Sequence, residues 1–321
     1  MSLKEFIKTV NAQYGENSTI IIDEDYKVDI DVIPTGVENV DKAFGTGGFP
    51  RGKISEVFGK EGSGKTTLCL HAVAEAHRMG LNAAFIDTEH GISFDRMKEL
   101  GVDTKKLVFS QPDSGEEALN IVEMMVRSEN FSIIVVDSVA ALVPQVEVEK
   151  DMGESTMGVH AKLMSQAMRK LAAPVSKHNV ALVFTNQTRS KIGVMWGNPE
   201  VTTGGVALKF YASLRVKMTY TGKIKDSSGQ QVSSKGKLTV VKNKLAVPFK
   251  EATFEINQSG IDASGALITR LVDMSVIVKS GSFYKYKDKV IAQGARALSI
   301  KLKEDAELKD KLVQSLYGKE K

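Results

Sequence analysis

The residues Gly59-Lys60-Glu61-Gly62-Ser63-Gly64-Lys65-Thr66 match the phosphate-loop pattern G-x-x-x-x-G-K-[ST]. They follow an apolar run at 54–58 and precede a helical pattern through Met79, the strand–loop–helix context that this pattern requires. Glycines let the backbone N–H groups approach phosphate oxygens, and the helix N-terminus adds partial positive charge. Lys65 is predicted to contact the β- and γ-phosphates of ATP, and the Thr66 hydroxyl to bind Mg²⁺. Together with Thr67, this stretch predicts a nucleotide site; a glycine-rich turn without a ligand is the alternative.

Around this loop, apolar runs alternate with amphipathic stretches, which is typical of an α/β fold. Strands are predicted at 54–58, 83–87, 107–110, 133–137 and 180–186, and helices at 66–79, 94–100, 115–127 and 160–177. Such alternation predicts a mostly parallel central sheet with helices on both faces. Ligands of these sheets bind at the carboxyl ends of the strands.

Polar residues follow three of these strands at their carboxyl ends. Asp137 ends an apolar strand as in a Walker B site and is predicted to hold Mg²⁺ directly or through water. Glu89, two residues after the strand at 83–87, is a candidate to orient or deprotonate the attacking water, with a surface carboxylate as the alternative. Gln187 is a candidate γ-phosphate contact or a simple strand-end cap.

Composition is that of an ordinary soluble protein of 321 residues, with 42% hydrophobic and 26% charged residues. No run is long enough to span a membrane, and the single Cys69 cannot form an internal disulfide, so we expect a cytoplasmic protein in which Cys69 is a core residue. The net charge of +4 is unevenly distributed. Residues 215–250 carry nine Lys or Arg against Asp226 alone, and residues 279–303 carry seven against Asp288, which favours a polyanionic partner.

Three segments do not fit a compact core. Residues 3–10 have helical apolar spacing and residues 19–22 resemble a short strand, but the two are too small to make a core, so they pack on this chain or on another. Residues 146–159 and 188–208 are long and rich in glycine. The second carries Ile192, Met195 and Trp196, which suits insertion between bases; a hairpin folded back on the core is the alternative.

Taken together, the stretches 59–68, 86–90, 110–113, 135–144, 163–171, 191–208 and 240–249 resemble the bacterial RecA recombinase family, collinearly from about residue 14 to 316. Three stretches are particular to that family: Met164-Ser165-Gln166-Ala167-Met168-Arg169-Lys170-Leu171, Gly204-Gly205-Val206-Ala207-Leu208-Lys209-Phe210-Tyr211-Ala212-Ser213 and Val240-Val241-Lys242-Asn243-Lys244. The resemblance implies ATP-bound subunits that form a helical filament on single-stranded DNA, pair it with homologous duplex DNA and exchange strands in recombination and repair.

The resemblance also implies roles for individual residues. Lys65, Thr66 and Asp137 match the phosphate lysine and the magnesium site, Glu89 the water-activating glutamate, and Gln187 the γ-phosphate sensor. Segments 150–158 and 189–207 correspond to the two DNA-binding loops. Within and near them, the implied base-inserting residues are Met157 and Ile192, and the implied backbone contacts are Lys162, Arg169, Arg189, Lys191, Gly204 and Gly205. Lys242 and Lys244 would reach the neighbouring subunit's nucleotide, and Phe210 would couple subunits.

The chain departs from the family at several positions. Arg96 stands where a tyrosine stacks on adenine, and Ser93 replaces a nearby aspartate, so Arg96 is the expected contact to the base. Val206 replaces an asparagine that contacts DNA, and Trp196 a phenylalanine. The last residues lack the acidic tail of cellular members, so we expect regulation to differ. These departures suggest a divergent member, for example one carried by a phage.

The C-terminal part is predicted to be a small α/β lobe that binds duplex DNA. A strand through 282–290 would place Tyr284 and Tyr286 on one face, and Lys285, Lys287 and Lys289 on the other, as a row for phosphates. Core tyrosines are favoured over base-stacking ones. The expected domains are an arm at 1–32 that docks on the next subunit, an ATPase core with the DNA loops at 33–261, and this lobe at 262–321.

Two other functions remain open from the sequence. A hexameric DNA-translocating helicase could use the same core, although the arm, the 189–207 loop and the basic C-terminal hairpin argue against it. A DNA-coating protein without hydrolysis is the third hypothesis, in which Glu89 has no evident role.

Overall fold

A computed structural model describes residues 1–16, 18–21, 30–151, 158–190, 200–225, 228–262 and 264–319. The chain divides into two units, residues 1–30 and residues 31–321, and each is described by itself. Both contain elements that the sequence predicts, and the second holds the central sheet.

The first unit contains helix α1, Leu3–Tyr14. Ser2 caps its N-terminus in a capping box with Glu5, and this satisfies two backbone N–H groups of the helix start. The predicted strand at 19–22 is wrong over its described part, because residues 18–21 form no strand. The side chain of Asn11 instead accepts from the Thr19 N–H at 2.8 Å and donates to the Thr19 carbonyl at 3.0 Å, so it takes the place of a strand partner.

The second unit contains the remaining elements. Its strands are β1 Val32–Ile33, β2 Phe49–Pro50, β3 Lys53–Gly59, β4 Ala83–Asp87, β5 Val108–Ser110, β6 Ile133–Asp137, β7 Ala181–Ser190, β8 Glu200–Thr202, β9 Leu214–Lys225, β10 Gln231–Asn243, β11 Glu251–Asn257, β12 Gly260–Asp262, β13 Val278–Ser280, β14 Phe283–Tyr286 and β15 Lys289–Gln293. Its helices are α2 Glu38–Phe44, α3 Lys65–Arg78, α4 Phe94–Glu99, α5 Gly115–Arg127, α6 Gln145–Val148, α7 Val159–Lys177, α8 Ala207–Tyr211, α9 Ser264–Asp273, α10 Ala295–Glu304 and α11 Ala306–Lys319, with a 3₁₀ turn at Val139–Ala141.

The central sheet runs in the order β12-β11-β10-β9-β3-β7-β6-β4-β5, and β8 pairs with β7. In the sheet order β9-β3-β7-β6-β4-β5, adjacent strands are parallel. Beyond β9, strands β10, β11 and β12 pair antiparallel and form one edge of the sheet. This confirms the predicted α/β class with a mostly parallel sheet. The long hairpin of β9 and β10 was not predicted, although Leu214, Val216 and Met218 alternate with polar residues in the manner of a half-buried strand.

The sheet is buried on both faces, which explains its continuous apolar strands. In β6, Ile133 and Val135 pack into one core with α3, while Ile134 and Val136 pack into a second core with α5 and α7. Cys69 of α3 is fully buried in the first core, as predicted, and burial raises the pKa of its thiol well above the usual value. Because the strands from β9 to β5 are parallel, their carboxyl ends lie at one edge of this buried sheet.

Residues 264–319 form a small α/β lobe, also as predicted. Strands β13, β14 and β15 make an antiparallel sheet, and Tyr284, 5% exposed, packs with α9, α10 and α11 in a separate core. The predicted row of three lysines on one strand face is wrong. Lys287 lies in the turn between β14 and β15 at φ 47°, and Lys289 pairs with Tyr286 across the hairpin, on the face of that tyrosine.

Candidate nucleotide site and nucleic-acid interface

The phosphate loop joins β3 to α3. Gly62 and Gly64 have φ values of 70° and 92°, and a Cβ on Gly59 would lie 2.2 Å from the Met218 carbonyl oxygen, so close approach of β9 requires glycine there. Lys65 Nζ donates to the carbonyl of Lys60 at 3.0 Å, and burial lowers the pKa of Lys65. Thr67 is half-buried on α3, while Lys60 and Glu61 are exposed.

One buried group of this loop shows that the loop fits a phosphate. The Ser63 hydroxyl is buried and has no hydrogen-bond partner among the residues that the structure describes. A buried hydroxyl without a partner is unfavourable, and a phosphate oxygen in the loop would supply one. The Ser63 hydroxyl is therefore suited to donate to a phosphate of the expected triphosphate.

Asp137 and Thr66 lie together beside the loop. Thr66 Oγ1 donates to Asp137 Oδ2 at 2.6 Å, and Thr185 donates to the other carboxylate oxygen. Burial raises the pKa of Asp137, and these two hydrogen bonds oppose that shift. A hydroxyl and a carboxylate are oxygen ligands of the kind that Mg²⁺ takes together with phosphates. The described residues contain no cluster of three or more His, Cys, Asp or Glu for a metal, so phosphates and water would complete such a site.

Glu89 and Gln187 are in contact, although 98 residues separate them in the sequence. Gln187 Nε2 donates to Glu89 Oε1 at 3.1 Å, and Ser138 Oγ donates to the same oxygen at 2.5 Å. Glu89 is exposed, and these contacts leave its second carboxylate oxygen to accept from water. The structure thus brings the two strand-end candidates into one arrangement next to Asp137.

Ser138, Thr185 and Gln111 belong to this site but were not predicted from the sequence. Ser138 follows Asp137 and touches Glu89, and the amide of Gln111 donates to Asp87 Oδ2 at 3.0 Å. Single hydroxyls and amides have no spacing pattern that marks them. Position after a strand was the only signal available for Ser138 and Gln111, which follow strands at the same edge as Asp137. Thr185 lies midway along β7 and had no such signal.

Arg96 makes its contacts within the chain. Its guanidinium donates to Glu99 at 3.0 Å, to the Asn257 carbonyl at 3.3 Å and to the Gln258 carbonyl. These bonds tie α4 to the turn between β11 and β12. The side chain of Ser93 caps the start of α4.

Lys242 and Lys244 gather around the end of α8. Lys242 Nζ donates to the carbonyls of Lys209 and Phe210 at 2.8 and 2.9 Å, and Lys244 Nζ to that of Phe210 at 3.4 Å. Burial and, next, the charge of Lys244 lower the pKa of Lys242 to about 8. Phe210 is 67% exposed. Lys242, Lys244 and Phe210 therefore form one surface, in which two ammonium groups lie beside an exposed aromatic ring.

Besides Gly204 and Gly205, the predicted DNA-binding residues divide into three groups. Lys162 and Arg169 are exposed on α7, seven residues apart and therefore on one face, and Arg189 is exposed on β7. Lys285, Lys287 and Lys289 lie on and around the β14–β15 turn of the C-terminal lobe, as given above. Met157, Lys191 and Ile192 lie outside the described residues.

The 189–207 segment is built on a hairpin. Strand β8 pairs with the end of β7 from Thr188↔Thr202 to Ser190↔Glu200, so its two ends are held together. Gly204 and Gly205 follow at φ 80° and 77°. A Cβ on Gly204 would lie 2.8 Å from Val139 Cγ1, and one on Gly205 would lie 2.9 Å from Ala161 Cβ. The absence of side chains at this glycine pair therefore lets the returning chain pack closely on the 3₁₀ turn and α7.

Two family models match this chain. The model of the RecA N-terminal domain matches residues 1–262, and that of the RecA C-terminal domain matches residues 265–320. Among curated relatives, the protein RecA of Bacteroides thetaiotaomicron is 48% identical over 315 residues, which are 97% of this chain and 94% of that protein. The protein RecA of Chloroherpeton thalassium is 46% identical over 307 residues, which are 95% and 86% of the two chains.

A solved structure has a similar fold. The crystal structure of the RadB recombinase matches with a TM-score of 0.55 at 21% identity, and covers 72% of this chain and 98% of that chain. At this identity the likeness concerns the fold alone. In the described part of this chain, no helix combines the length and the apolar character that crossing a membrane requires.

Proposed function

This chain belongs to the RecA family, and on that premise we propose that it forms helical filaments on single-stranded DNA, pairs this strand with homologous duplex and exchanges strands. Family membership makes it a RecA-type recombinase, an ATP-binding enzyme with DNA-dependent ATPase activity in recombination and repair. The contact between Glu89 and Gln187 carries the proposal, because it joins the candidate base to the strand that leads into the 189–207 segment.

We assign nucleotide binding to residues 59–67. The backbone N–H groups and the Ser63 hydroxyl would contact phosphate oxygens, and Lys65 would exchange the Lys60 carbonyl for a phosphate. Thr66 and Asp137 would hold Mg²⁺, which supplies positive charge against the phosphates. Arg96, on the helix after Glu89, would border the base with its guanidinium plane.

Glu89 would accept a proton from the attacking water. Ser138 and Gln187 fix one of its oxygens, so the other is oriented for this task. Gln187 would contact the γ-phosphate with the same amide when ATP is bound. A contact of Gln187 with phosphate would compete with its hydrogen bond to Glu89. The orientation of the Glu89 carboxylate would therefore depend on whether ATP is bound.

Single-stranded DNA would bind along 150–158, the start of α7 and 189–207. The exposed cations Lys162, Arg169 and Arg189 would pair with phosphates, and the N–H groups of Gly204 and Gly205 would do the same at close range. Met157, Lys191 and Ile192 keep their predicted roles as base and backbone contacts. Duplex DNA would bind at Lys285, Lys287 and Lys289.

Assembly would complete the nucleotide site. Lys242 and Lys244 present their ammonium groups at a surface shared with exposed Phe210, and carbonyls of α8 already bind them. In a filament these lysines would reach the neighbouring subunit's phosphates, and the arm at 1–32 would dock on the next subunit. We retain the boundary at 262 between the ATPase core and the duplex-binding lobe, and a cytoplasmic location.

The decisive experiment measures ATP hydrolysis with and without poly(dT), together with electron microscopy of the protein with poly(dT) and a non-hydrolysable ATP analogue. Hydrolysis that depends on poly(dT), and helical filaments, are expected. Closed rings would favour the helicase, and filaments without hydrolysis would favour a coating protein. Strand exchange between a single-stranded circle and homologous linear duplex then tests the recombinase directly.

A further inference from the structure

A buried polar network lies behind Gln187 and is not part of the phosphate site. Glu56 of β3 and Asn186 of β7 are both 0% exposed, and Arg215 of β9 is 7% exposed. In the parallel ladder Glu56 is directly opposite Arg215, and Phe58 is opposite Asn186, so all four side chains lie on the same face of the sheet. Buried charges are rarely retained without compensating partners, so the contacts of this group require an explanation.

Glu56 and Arg215 compensate each other. Arg215 Nε donates to Glu56 Oε2, and the guanidinium lies 4.7 Å from the centre of the Phe58 ring. The second oxygen of Glu56 accepts from Asn186 Nδ2 at 2.9 Å. The ion pair therefore fixes the Glu56 carboxylate, so that its second oxygen faces Asn186.

The carboxamide of Asn186 uses all of its hydrogen-bonding capacity. Its Nδ2 also donates to the Thr203 carbonyl at 3.1 Å, and its Oδ1 accepts from the Gln187 N–H at 2.9 Å and from Thr203 Oγ1 at 2.5 Å. An amide has two donors and two acceptor positions, and all four are filled. A flipped amide would place its oxygen against the Glu56 carboxylate and the Thr203 carbonyl, so the orientation is unique.

This carboxamide joins two positions that matter for the reaction. Gln187 touches Glu89 through its side chain, and Thr203 precedes the glycine pair at which the returning chain packs closely on the 3₁₀ turn and α7. Thr203 also donates its N–H to the Gln187 carbonyl at 3.4 Å. A shift of Thr203 would therefore disturb its two hydrogen bonds to Asn186, whose carboxamide oxygen also accepts from the Gln187 N–H.

We propose that Asn186, held by the Glu56–Arg215 pair, is a positioning residue that transmits DNA binding at Gly204 and Gly205 to Gln187 and Glu89. The inference rests on the proposed function and adds to it the physical link between the DNA segment and the hydrolytic centre. Neither Asn186 nor Thr203 touches the nucleotide in this scheme. Their contribution is the coupling between the two sites, which is measurable separately from binding at either.

Thr203→Val tests the link with little change in volume, because it removes the hydroxyl bond to Asn186 and keeps the backbone bonds. Thr203→Ser is the matched control, since it keeps the hydroxyl. Steady-state hydrolysis is measured with and without poly(dT), with the KM for ATP and the affinity for poly(dT). We expect stimulation of kcat at saturating poly(dT) to fall roughly tenfold in Thr203→Val, with the KM for ATP within about twofold of the parent and Thr203→Ser close to the parent.

Asn186→Asp is the second variant, and a thermal melt shows whether it folds. It replaces a donor with an anion that faces Glu56, so we expect a larger loss of stimulation than in Thr203→Val. Parental stimulation in Thr203→Val would overturn the inference, as would a loss that is fully explained by weaker binding of ATP or DNA. If poly(dT) does not stimulate hydrolysis by the parent chain, the proposed function is overturned. If poly(dT) stimulates the parent and Thr203→Val equally, only the inference about Asn186 is overturned.

Discussion

Ser138 donates a hydrogen bond to Glu89 Oε1 at 2.5 Å, so the residue that follows the candidate magnesium ligand also holds the candidate base. The backbone reinforces this relationship, because Thr88 Oγ1 donates to the Ser138 carbonyl at 2.9 Å and the Thr88 N–H donates to the Asp137 carbonyl at 2.8 Å. Strands β4 and β6 are therefore joined at their carboxyl ends by contacts that fix Glu89 relative to Asp137.

Glu89→Gln should reduce poly(dT)-stimulated hydrolysis by roughly 10²- to 10⁴-fold, because it removes a proton acceptor and keeps the shape. Binding of ATP and of DNA should stay at parental levels in fluorescence titrations. Glu129→Gln is the control, since that carboxylate is exposed before β6, at the opposite end of the strand. Unchanged turnover in Glu89→Gln would rule out its role as the base.

Lys242→Ala and Lys244→Ala should each abolish the dependence of hydrolysis on protein concentration, because the site would lack the neighbour's cation. Nucleotide binding to the variant's own phosphate loop should remain. Lys235→Ala, an exposed lysine on the same strand, is the control. Hydrolysis per subunit that matches the parent at every protein concentration would show that the site is not shared.

Gly204→Ala should weaken binding to poly(dT) and lower the free energy of unfolding by about 1–3 kcal/mol, from a strained φ and from overlap of the new Cβ with Val139. Gly229→Ala separates the two causes. Gly229 has φ +84°, close to the +80° of Gly204, but no atom of the residues that the structure describes lies within 4 Å of its Cβ position. Chemical denaturation and fluorescence anisotropy measure the two effects; equal losses in both variants would mean that the contact with Val139 is unimportant.

Reversal of Lys285, Lys287 and Lys289 to Glu should weaken duplex binding and strand exchange and spare the hydrolysis that poly(dT) stimulates. The slope of log affinity against log salt should become shallower by about one for each phosphate that the variant no longer neutralises. The same reversal at Lys98, Lys105 and Lys106, which are exposed on the ATPase core, controls for net charge. A parental salt slope in the first triple variant would place the duplex site elsewhere.

The stability of the chain should depend on pH through Asp41. Burial raises the pKa of Asp41 to about 6 from 3.8, although Thr35 donates to it through both its N–H and its hydroxyl, at 2.8 and 2.7 Å. The folded state then binds more protons than the unfolded state between these values, so stability falls as pH rises from about 4 to 6, by up to about 3 kcal/mol. Asp41→Asn should remove this dependence in urea titrations, because an amide oxygen can accept both Thr35 bonds; an unchanged pH profile would contradict the assignment.

The sequence predicted the parts of the site that follow a spacing rule. Lys65 and Thr66 belong to a fixed pattern, and Asp137 and Glu89 follow strands whose carboxyl ends must meet in a parallel sheet. Ser138 and Asn186 belong to no pattern, because their roles depend on which strands become neighbours. Prediction of the lysine row failed for a related reason, since period-two alternation holds along a strand and Lys287 lies in a turn.

The close approach of Gly59 to the Met218 carbonyl has a mechanical consequence. No side chain separates the start of the phosphate loop from β9, and β9 continues through its hairpin into β10, which carries Lys242 and leads to Lys244. Two backbones in direct contact leave no compressible layer that could absorb a displacement. In the proposed filament, a push by the adjoining subunit on the surface of Lys242 and Lys244 would therefore reach the phosphate loop as movement of the main chain itself.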